Sequence, residues 1–286
     1  MDTLSTFAIT RALPRGRPAY DHTYVTSSHG HVWDCLGGSN GGRLLDSGSG
    51  DAAIADCVSH PRRGGIPPVY AGLAYGVRGV CHQMANRIAR TAGVDVAGAY
   101  LYNSWSLRVY GVYGLGPWPE WLHCQLGAGG QLGSSTSDGG SSNVSSSGMK
   151  ERLRALYDAI DTVRAGGSPD DGDPQLRIQE FEIMIDEALG PDYEPDKRRE
   201  LMALERSFRG RQQALIHDLE SKRLPPRAYL TRMNALLVDV ARRYEAILGE
   251  TDYRKLFGGR PEDAAHLIDP AIFLGEAVND EPGRGQ

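Results

Sequence analysis

The chain has 286 residues, a formal net charge of −5 and a pI near 5.9. That length is enough for two domains of roughly 100–150 residues each, with a core in both. The charge balance argues against a nucleic-acid binder, which needs an excess of basic side chains to neutralise phosphates. No segment approaches the roughly 20 apolar residues of a membrane span, and the first residues lack a signal-peptide core. We therefore expect a cytoplasmic protein with no membrane span and no nucleic-acid partner.

The N-terminal half contains short runs of alternating β-branched and aromatic residues. One pair of runs, joined by a Ser-Ser-His-Gly turn, predicts a β-hairpin over residues 20–36. A second hairpin is predicted between 99–102 and 107–113, with its turn at an Asn-Ser pair. Between the hairpins, apolar residues at helical spacing predict a one-sided helix over 81–91 that ends at Gly93.

A Gly/Ser-rich tract divides the sequence. Residues 127–148 include 15 Gly or Ser among 22 positions, which leaves too little apolar surface to offset the entropy of ordering the segment. We predict a flexible linker or loop here, with one domain at 1–126 and a second at 149–286.

After the linker the apolar pattern changes to a period of 3.6 residues, which predicts an all-α domain. A Leu-Pro-Pro break would fold the last two long helices back on each other as a helical hairpin. Such a hairpin suits binding of a protein partner or self-association. The predicted helices cover residues 153–163, 174–189, 195–222 and 226–248.

Four cysteines lie in the first 124 residues, and one of them has the setting of a nucleophile. Cys81 opens the predicted helix, where unsatisfied backbone N–H groups and the positive end of the helix dipole stabilise a thiolate and can hold an oxyanion. A histidine base must come from elsewhere in the fold, and His22 lies on a predicted strand. In a reducing compartment such cysteines are more often free thiols, ligands or catalysts than disulfides.

Three short motifs resemble those of a known family. The segment 21–25 (DHTYV) and the paired segment 31–35 (HVWDC) precede the helix-opening segment 79–83 (GVCHQ), so that histidine and cysteine are 81 − 22 = 59 residues apart. This order resembles the circularly permuted papain-like thiol enzymes, a clan that includes lecithin–retinol acyltransferase and relatives of bacterial cell-wall endopeptidases. The resemblance covers roughly residues 18–113 and implies an α+β, papain-like domain with a small antiparallel sheet and a nucleophile-bearing helix.

Carried onto this sequence, the resemblance implies that Cys81 is the nucleophile, His22 the base and Asp34 the group that orients the imidazole. A tight turn in the hairpin puts His22 and Asp34 on one side of it, whereas a one-residue change in the turn would reverse that placement. The alternatives for the third group are His31, Asn86 and Asn103.

These residues predict a cysteine hydrolase that cleaves a peptide-like amide through an acyl-enzyme and needs no cofactor. One alternative is a thiol acyltransferase, in which a nucleophile other than water resolves the acyl-enzyme. Another is a non-catalytic interaction protein, in which the helical domain binds a partner and the papain-like domain is a scaffold.

A metal site is a further alternative, because imidazole and thiolate groups at short spacings can bind zinc. Repeated Cys-x-x-Cys motifs are absent from the sequence, and histidines near a turn are commonly solvated, which makes this the weaker interpretation. The residues concerned are His29, His31, Cys35, Cys57 and His60.

Overall fold

The computed structural model describes residues 2–11, 20–35, 41–60, 65–115, 152 and 174–276. These residues form a mixed α+β structure in which a small antiparallel sheet is followed by a mostly helical C-terminal half. The Gly/Ser tract at 127–148 and the helix predicted at 153–163 lie outside the described residues.

The main sheet has four antiparallel strands in the order β3-β2-β1-β4, so the two inner strands bury side chains against the helices. A separate two-stranded ribbon, β5-β6, leads towards the helix that carries Cys81. The strands are β1 (Asp2–Arg11), β2 (Tyr20–Ser27), β3 (Val32–Trp33), β4 (Arg43–Gly50), β5 (Val69–Tyr70) and β6 (Leu73–Ala74).

The first predicted hairpin is present as β2 and β3. Val25 pairs with Trp33 and Thr26 with Val32. Within the turn, the Ser27 hydroxyl oxygen accepts from the backbone N–H groups of His29 and His31, at 3.3 and 3.2 Å. This is the local side-chain bonding for which serine is favoured in turns.

The predicted helix beginning at Cys81 is also present. It runs as α2 (Cys81–Ala89), continues as a 3-10 turn (Arg90–Ala92) and ends at Gly93 in the left-handed conformation, with φ of 65°. All nine residues of α2 are buried, because the helix packs against β2 on one side and α1 (Ala52–Ser59) on another.

The second predicted hairpin is wrong. Its residues form a π-helical turn (Tyr102–Ser106) and a short helix, α3 (Leu107–Tyr110). All four residues of α3 are buried, including an arginine, and Trp105 of the preceding turn stacks on Phe257 at 5.1 Å between ring centroids. The alternating aromatic pattern misled the sequence analysis because burial here involves every face of the segment and not one side of a strand.

The C-terminal half consists of long helices whose starting points match the sequence pattern. Three of them begin at the prolines expected at the first helical position. Gly249, with φ of 76°, interrupts the last long helix and does not end it. The elements are α4 (Pro174–Leu189), α5 (Pro195–Glu220), α6 (Pro226–Phe257), a 3-10 helix (Pro261–His266) and α7 (Pro270–Phe273). Within the part of the chain that the structure describes, no helix combines the length and apolarity needed to cross a bilayer.

A buried ionic cluster joins the two halves of the chain. Arg108 of α3 lies 3.3 Å from Glu205 of α5, and Arg209 lies 2.6 Å from the other carboxylate oxygen. The Tyr244 hydroxyl donates to Glu205 at 2.5 Å, and the Arg108 guanidinium lies 4.3 Å from the ring centroid of Phe208. Because these charges are buried and paired, removal of one partner would leave another unpaired in the core.

Candidate functional site

Cys81 is the first residue of α2 and its side chain is buried, with 5% of the residue exposed. Gln83 fixes this helix start, because its side-chain oxygen accepts from the backbone N–H of Val80 at 3.2 Å. The amide nitrogen of Gln83 in turn donates to Ser106 Oγ at 2.7 Å and to Gly111 O at 2.8 Å. The α3 region thereby anchors the helix terminus that holds the thiol.

Gly79, two residues before Cys81, allows the chain to approach this helix closely. A Cβ atom at this position would lie 2.9 Å from Leu73 Cδ1 and 3.1 Å from Gln83 Cβ. Both distances are shorter than ordinary van der Waals contact, so any side chain here would push the helix start away from β6.

His22 and Asp34 are in direct contact. His22 Nε2 lies 2.6 Å from Asp34 Oδ1, and the two side chains are 1% and 2% exposed. The β2-β3 register accounts for the contact. Val25 is opposite Trp33, so the same register extended by one residue places Asp34 on the face of β2 that carries Tyr24 and His22. The turn therefore has the parity that brings these two residues together.

The imidazole of His22 also interacts with Cys81, and the two partners together shift its pKa. Burial acts to lower the pKa of His22, but hydrogen bonding to Asp34 and Cys81, with their negative charges, raises it from 6.5 to about 9. His22 is therefore a cation at neutral pH. Its Nε2 atom faces Asp34, and its Nδ1 atom is buried.

The neighbouring histidine, His82, has the opposite character. Burial lowers the pKa of His82 to about 4, so this imidazole is neutral. Its Nε2 atom donates to the carbonyl oxygen of Asp21 at 3.1 Å, and Cys81 Sγ lies 3.9 Å from the same oxygen. His82 thus ties the start of α2 to the strand that carries His22.

Asp21 is a site residue that the sequence analysis missed. Its carboxylate is 2% exposed and accepts from Thr10 Oγ1 at 2.7 Å, Tyr100 N at 2.8 Å and Arg43 Nη2 at 3.1 Å. A signal was available, because an acidic residue directly before His22 in a buried strand must have hydrogen-bond partners.

The C-terminal half also reaches the site, which the sequence did not indicate. The backbone N–H of Asp269 donates to the Tyr75 hydroxyl at 3.3 Å, and the Tyr20 hydroxyl donates to the Asp269 carboxylate. Burial raises the pKa of Tyr75 well above its ordinary value, and the nearby charges of Cys81, Cys35 and Asp269 raise it further.

Cys35 is a second free thiol beside the first. Burial raises the pKa of the Cys35 thiol well above its ordinary value, and the charges of Cys81, Asp34 and Asp269 add to the effect. Three potential metal-ligand atoms, one from each of His22, Asp34 and Cys35, lie within 4.8 Å of one another.

The alternatives for the third group lie elsewhere or have other bonds. Asn86 donates to Val112 O and to the Tyr102 hydroxyl, and accepts from Val96 N, so it stabilises loops beyond α2. His31 lies at the turn with its ring edge-on to Trp33. The side chain of Asn103 is outside the described part of the structure.

The residues of the alternative zinc site do not lie together in the structure. His29 is 72% exposed and pairs with Asp2, and His60 is exposed at the end of α1 with its Nδ1 atom on Asp56 O. Cys57 is disulfide-bonded, so it is not the metal ligand that this alternative requires. Of the predicted set, only Cys35 belongs to a metal-compatible group among the residues that the structure describes, and its companions there are His22 and Asp34.

Comparisons of the chain with protein-family models, with curated proteins and with solved structures found no match.

Proposed function

We propose that the chain is a thiol hydrolase that cleaves a peptide-like amide bond, with Cys81 as nucleophile, His22 as acid and base, and Asp34 as the orienting carboxylate. The observation that carries the proposal is the buried imidazole of His22, which lies 2.6 Å from Asp34 and interacts with a thiol at a helix start. A nucleophile, a base that interacts with it and a carboxylate that orients the base are the groups that thiol catalysis needs. A circularly permuted papain-like fold is part of the same proposal.

In the proposed resting state Cys81 is a thiolate and His22 an imidazolium. With Nε2 directed to Asp34, Nδ1 is the ring nitrogen available to the sulfur.

The sulfur of Cys81 attacks the carbonyl carbon, and the electron pair of the C=O bond moves to the oxygen. The backbone N–H groups at the start of α2 stabilise this oxyanion. When the intermediate collapses, the C–N bond breaks and His22 gives its proton to the leaving amine. Water then attacks the thioester, His22 takes the proton of that water, and the acid is released as the thiolate re-forms.

The test uses p-nitrophenyl acetate, which acylates thiolates and releases a coloured product. We expect a burst of about one p-nitrophenolate per chain and an acetyl group on the Cys81 peptide by mass spectrometry. Cys81→Ala should abolish the burst, and His22→Gln should slow it at least tenfold at pH 7, in line with the usual contribution of general acid–base catalysis.

Cys35→Ser is the matched control, because it removes the neighbouring thiol and leaves the three proposed groups in place. Its burst should equal that of the wild-type protein. Acetylation of Cys35 and Cys81 at equal slow rates, unchanged by His22→Gln, would contradict the proposal. Faster decay of the acyl-enzyme with added amines than with water would favour acyl transfer over hydrolysis.

The predicted location and partners beyond the substrate remain predictions. The disulfide at Cys57 weighs against the reducing cytoplasm, because disulfides persist mainly in oxidising compartments. Mass spectrometry of the protein alkylated in intact cells would decide this, since a reduced Cys57 would be labelled and a bonded one would not.

A further inference from the structure

The group formed by His22, Asp34 and Cys35 has the composition of a zinc site. It offers one imidazole nitrogen, one carboxylate oxygen and one thiol sulfur, and all three atoms lie within 4.8 Å of one another. Those are the three donor types that proteins use to bind Zn²⁺. Within the described residues, this is the one such group of three or more.

The distances between the three ligand atoms fit tetrahedral coordination of zinc after a small movement of the side chains. Zinc–ligand bonds of 2.0–2.3 Å place neighbouring ligand atoms about 3.5 Å apart. The present upper limit of 4.8 Å requires only a modest contraction. The contact between His22 Nε2 and Asp34 Oδ1, at 2.6 Å, must instead open by about 1 Å.

The sulfur ligand of this group is not used in a disulfide. Cys35 is a free thiol, so it is available as a ligand.

We propose that His22, Asp34 and Cys35 bind one Zn²⁺ ion, with the fourth coordination position left for water. Because His22 and Asp34 cannot both coordinate zinc and keep their 2.6 Å hydrogen bond, the bound ion takes the base and its orienting carboxylate away from Cys81. Zinc is therefore an inhibitor of the thiol chemistry. The inhibition rests on the proposed function, whereas the binding does not.

The experiment titrates the metal-free full chain with Zn²⁺ in competition with a zinc-binding dye. We expect one ion per chain in the wild-type protein and at least tenfold weaker binding in Cys35→Ser, because that variant lacks one ligand. The matched control is the double variant His29→Ala with His31→Ala, which removes two imidazoles from the hairpin turn and should bind zinc as tightly as the wild type.

Equal affinity of Cys35→Ser and wild type, or no stoichiometric binding by the wild type, would overturn the proposal. If Cys35→Ser fails to fold by circular dichroism, Co²⁺ in the wild-type protein decides the question. A tetrahedral spectrum with thiolate-to-cobalt charge transfer supports the site, and an octahedral spectrum without it rules the site out.

The inhibition is read separately, as the rate at which iodoacetamide alkylates Cys81 with and without zinc. We expect zinc to slow alkylation at least tenfold in the wild type and to have little effect in Cys35→Ser. If metal-free wild type and His22→Gln are alkylated equally slowly, the proposed thiol function fails, but the zinc titration still tests the metal site.

Discussion

The protonated imidazole of His22 should make the stability of the fold depend on pH. The pKa of His22 is raised from 6.5 to about 9 because hydrogen bonding to Asp34 and Cys81 outweighs burial, the largest single influence, which lowers it. The difference, 9 − 6.5, corresponds to about 3 kcal/mol at the usual conversion. Because the folded state has the higher pKa, this stabilisation is fully present below pH 6.5 and is lost as the pH rises through about 9.

Urea unfolding of the wild-type protein and of His22→Gln, at intervals from about pH 6 to 10, measures the effect. Groups that titrate equally in both proteins cancel in the difference between the two free energies of unfolding. We expect that difference to be about 3 kcal/mol larger at the acidic end than at the basic end. When both proteins also carry Cys81→Ala, the difference between their free energies of unfolding should change less with pH, because Asp34 alone then raises the pKa of His22. A difference that stays constant across the range would refute the assignment of His22 as a buried imidazolium.

Three further predictions concern the scaffold, each measured as a free energy of unfolding in urea. Glu205→Gln should destabilise the protein by about 3–5 kcal/mol, because it leaves buried arginines without their carboxylate; the exposed Glu250→Gln should change stability by less than about 0.5 kcal/mol. Asp51→Ala should cost about 1 kcal/mol, since its carboxylate accepts from two N–H groups at the start of α1. Gly79→Ala should cost about 1–3 kcal/mol through overlap with Leu73, and should also slow the alkylation of Cys81. A wild-type stability in any of these core or cap variants would contradict the contact on which it rests.

The parts of the site that could be predicted depend on local signals. A cysteine before an amphipathic run, with a glycine at its far end, predicts the helix of Cys81 because both features act within a few residues. The contact between His22 and Asp34 followed from turn parity, which a short hairpin fixes. The helices of the C-terminal half were similarly visible from their period and their prolines.

Two strands of the main sheet could not be predicted from their composition. Strand β1 buries Thr6 and Ala8 and leaves Phe7 half-buried, so its alternation does not follow hydrophobicity. Thr6 is tolerated inside because its hydroxyl donates to Asp95 O at 2.7 Å. Strand β4 is rich in Gly and Ser, and a Cβ at Gly48 would lie 2.4 Å from Ala92 O. The glycines of β4 suggest a loop by composition, but they are needed because this strand packs closely on the backbone at Ala92.

The contacts around Asp21 and Asp269 depend on residues far apart in the sequence, so no local pattern could indicate them. Tyr100 lies 79 residues from Asp21, and Asp269 lies 249 residues from Tyr20. The buried arginine at position 108 is of the same kind, since its carboxylate partner belongs to another helix. The tertiary structure determines the ionisation and orientation of such groups. The pattern of residue types along the sequence does not show which distant residues come into contact with them.

The bond between Tyr20 and Asp269 has a consequence for synthesis. A ribosome adding roughly 5–20 residues per second needs on the order of 10–50 s to pass from the first of these positions to the second. For much of that interval Cys81 has left the ribosome, but the segment around Asp269 has not yet been synthesised. That segment packs on Tyr75, which lies near Cys81. We expect nascent chains arrested before residue 261 to react with a maleimide at Cys81 much faster than the full chain after its release. The nascent chain would therefore depend on its surroundings, such as bound chaperones, to keep this sulfur unmodified until translation has supplied its cover.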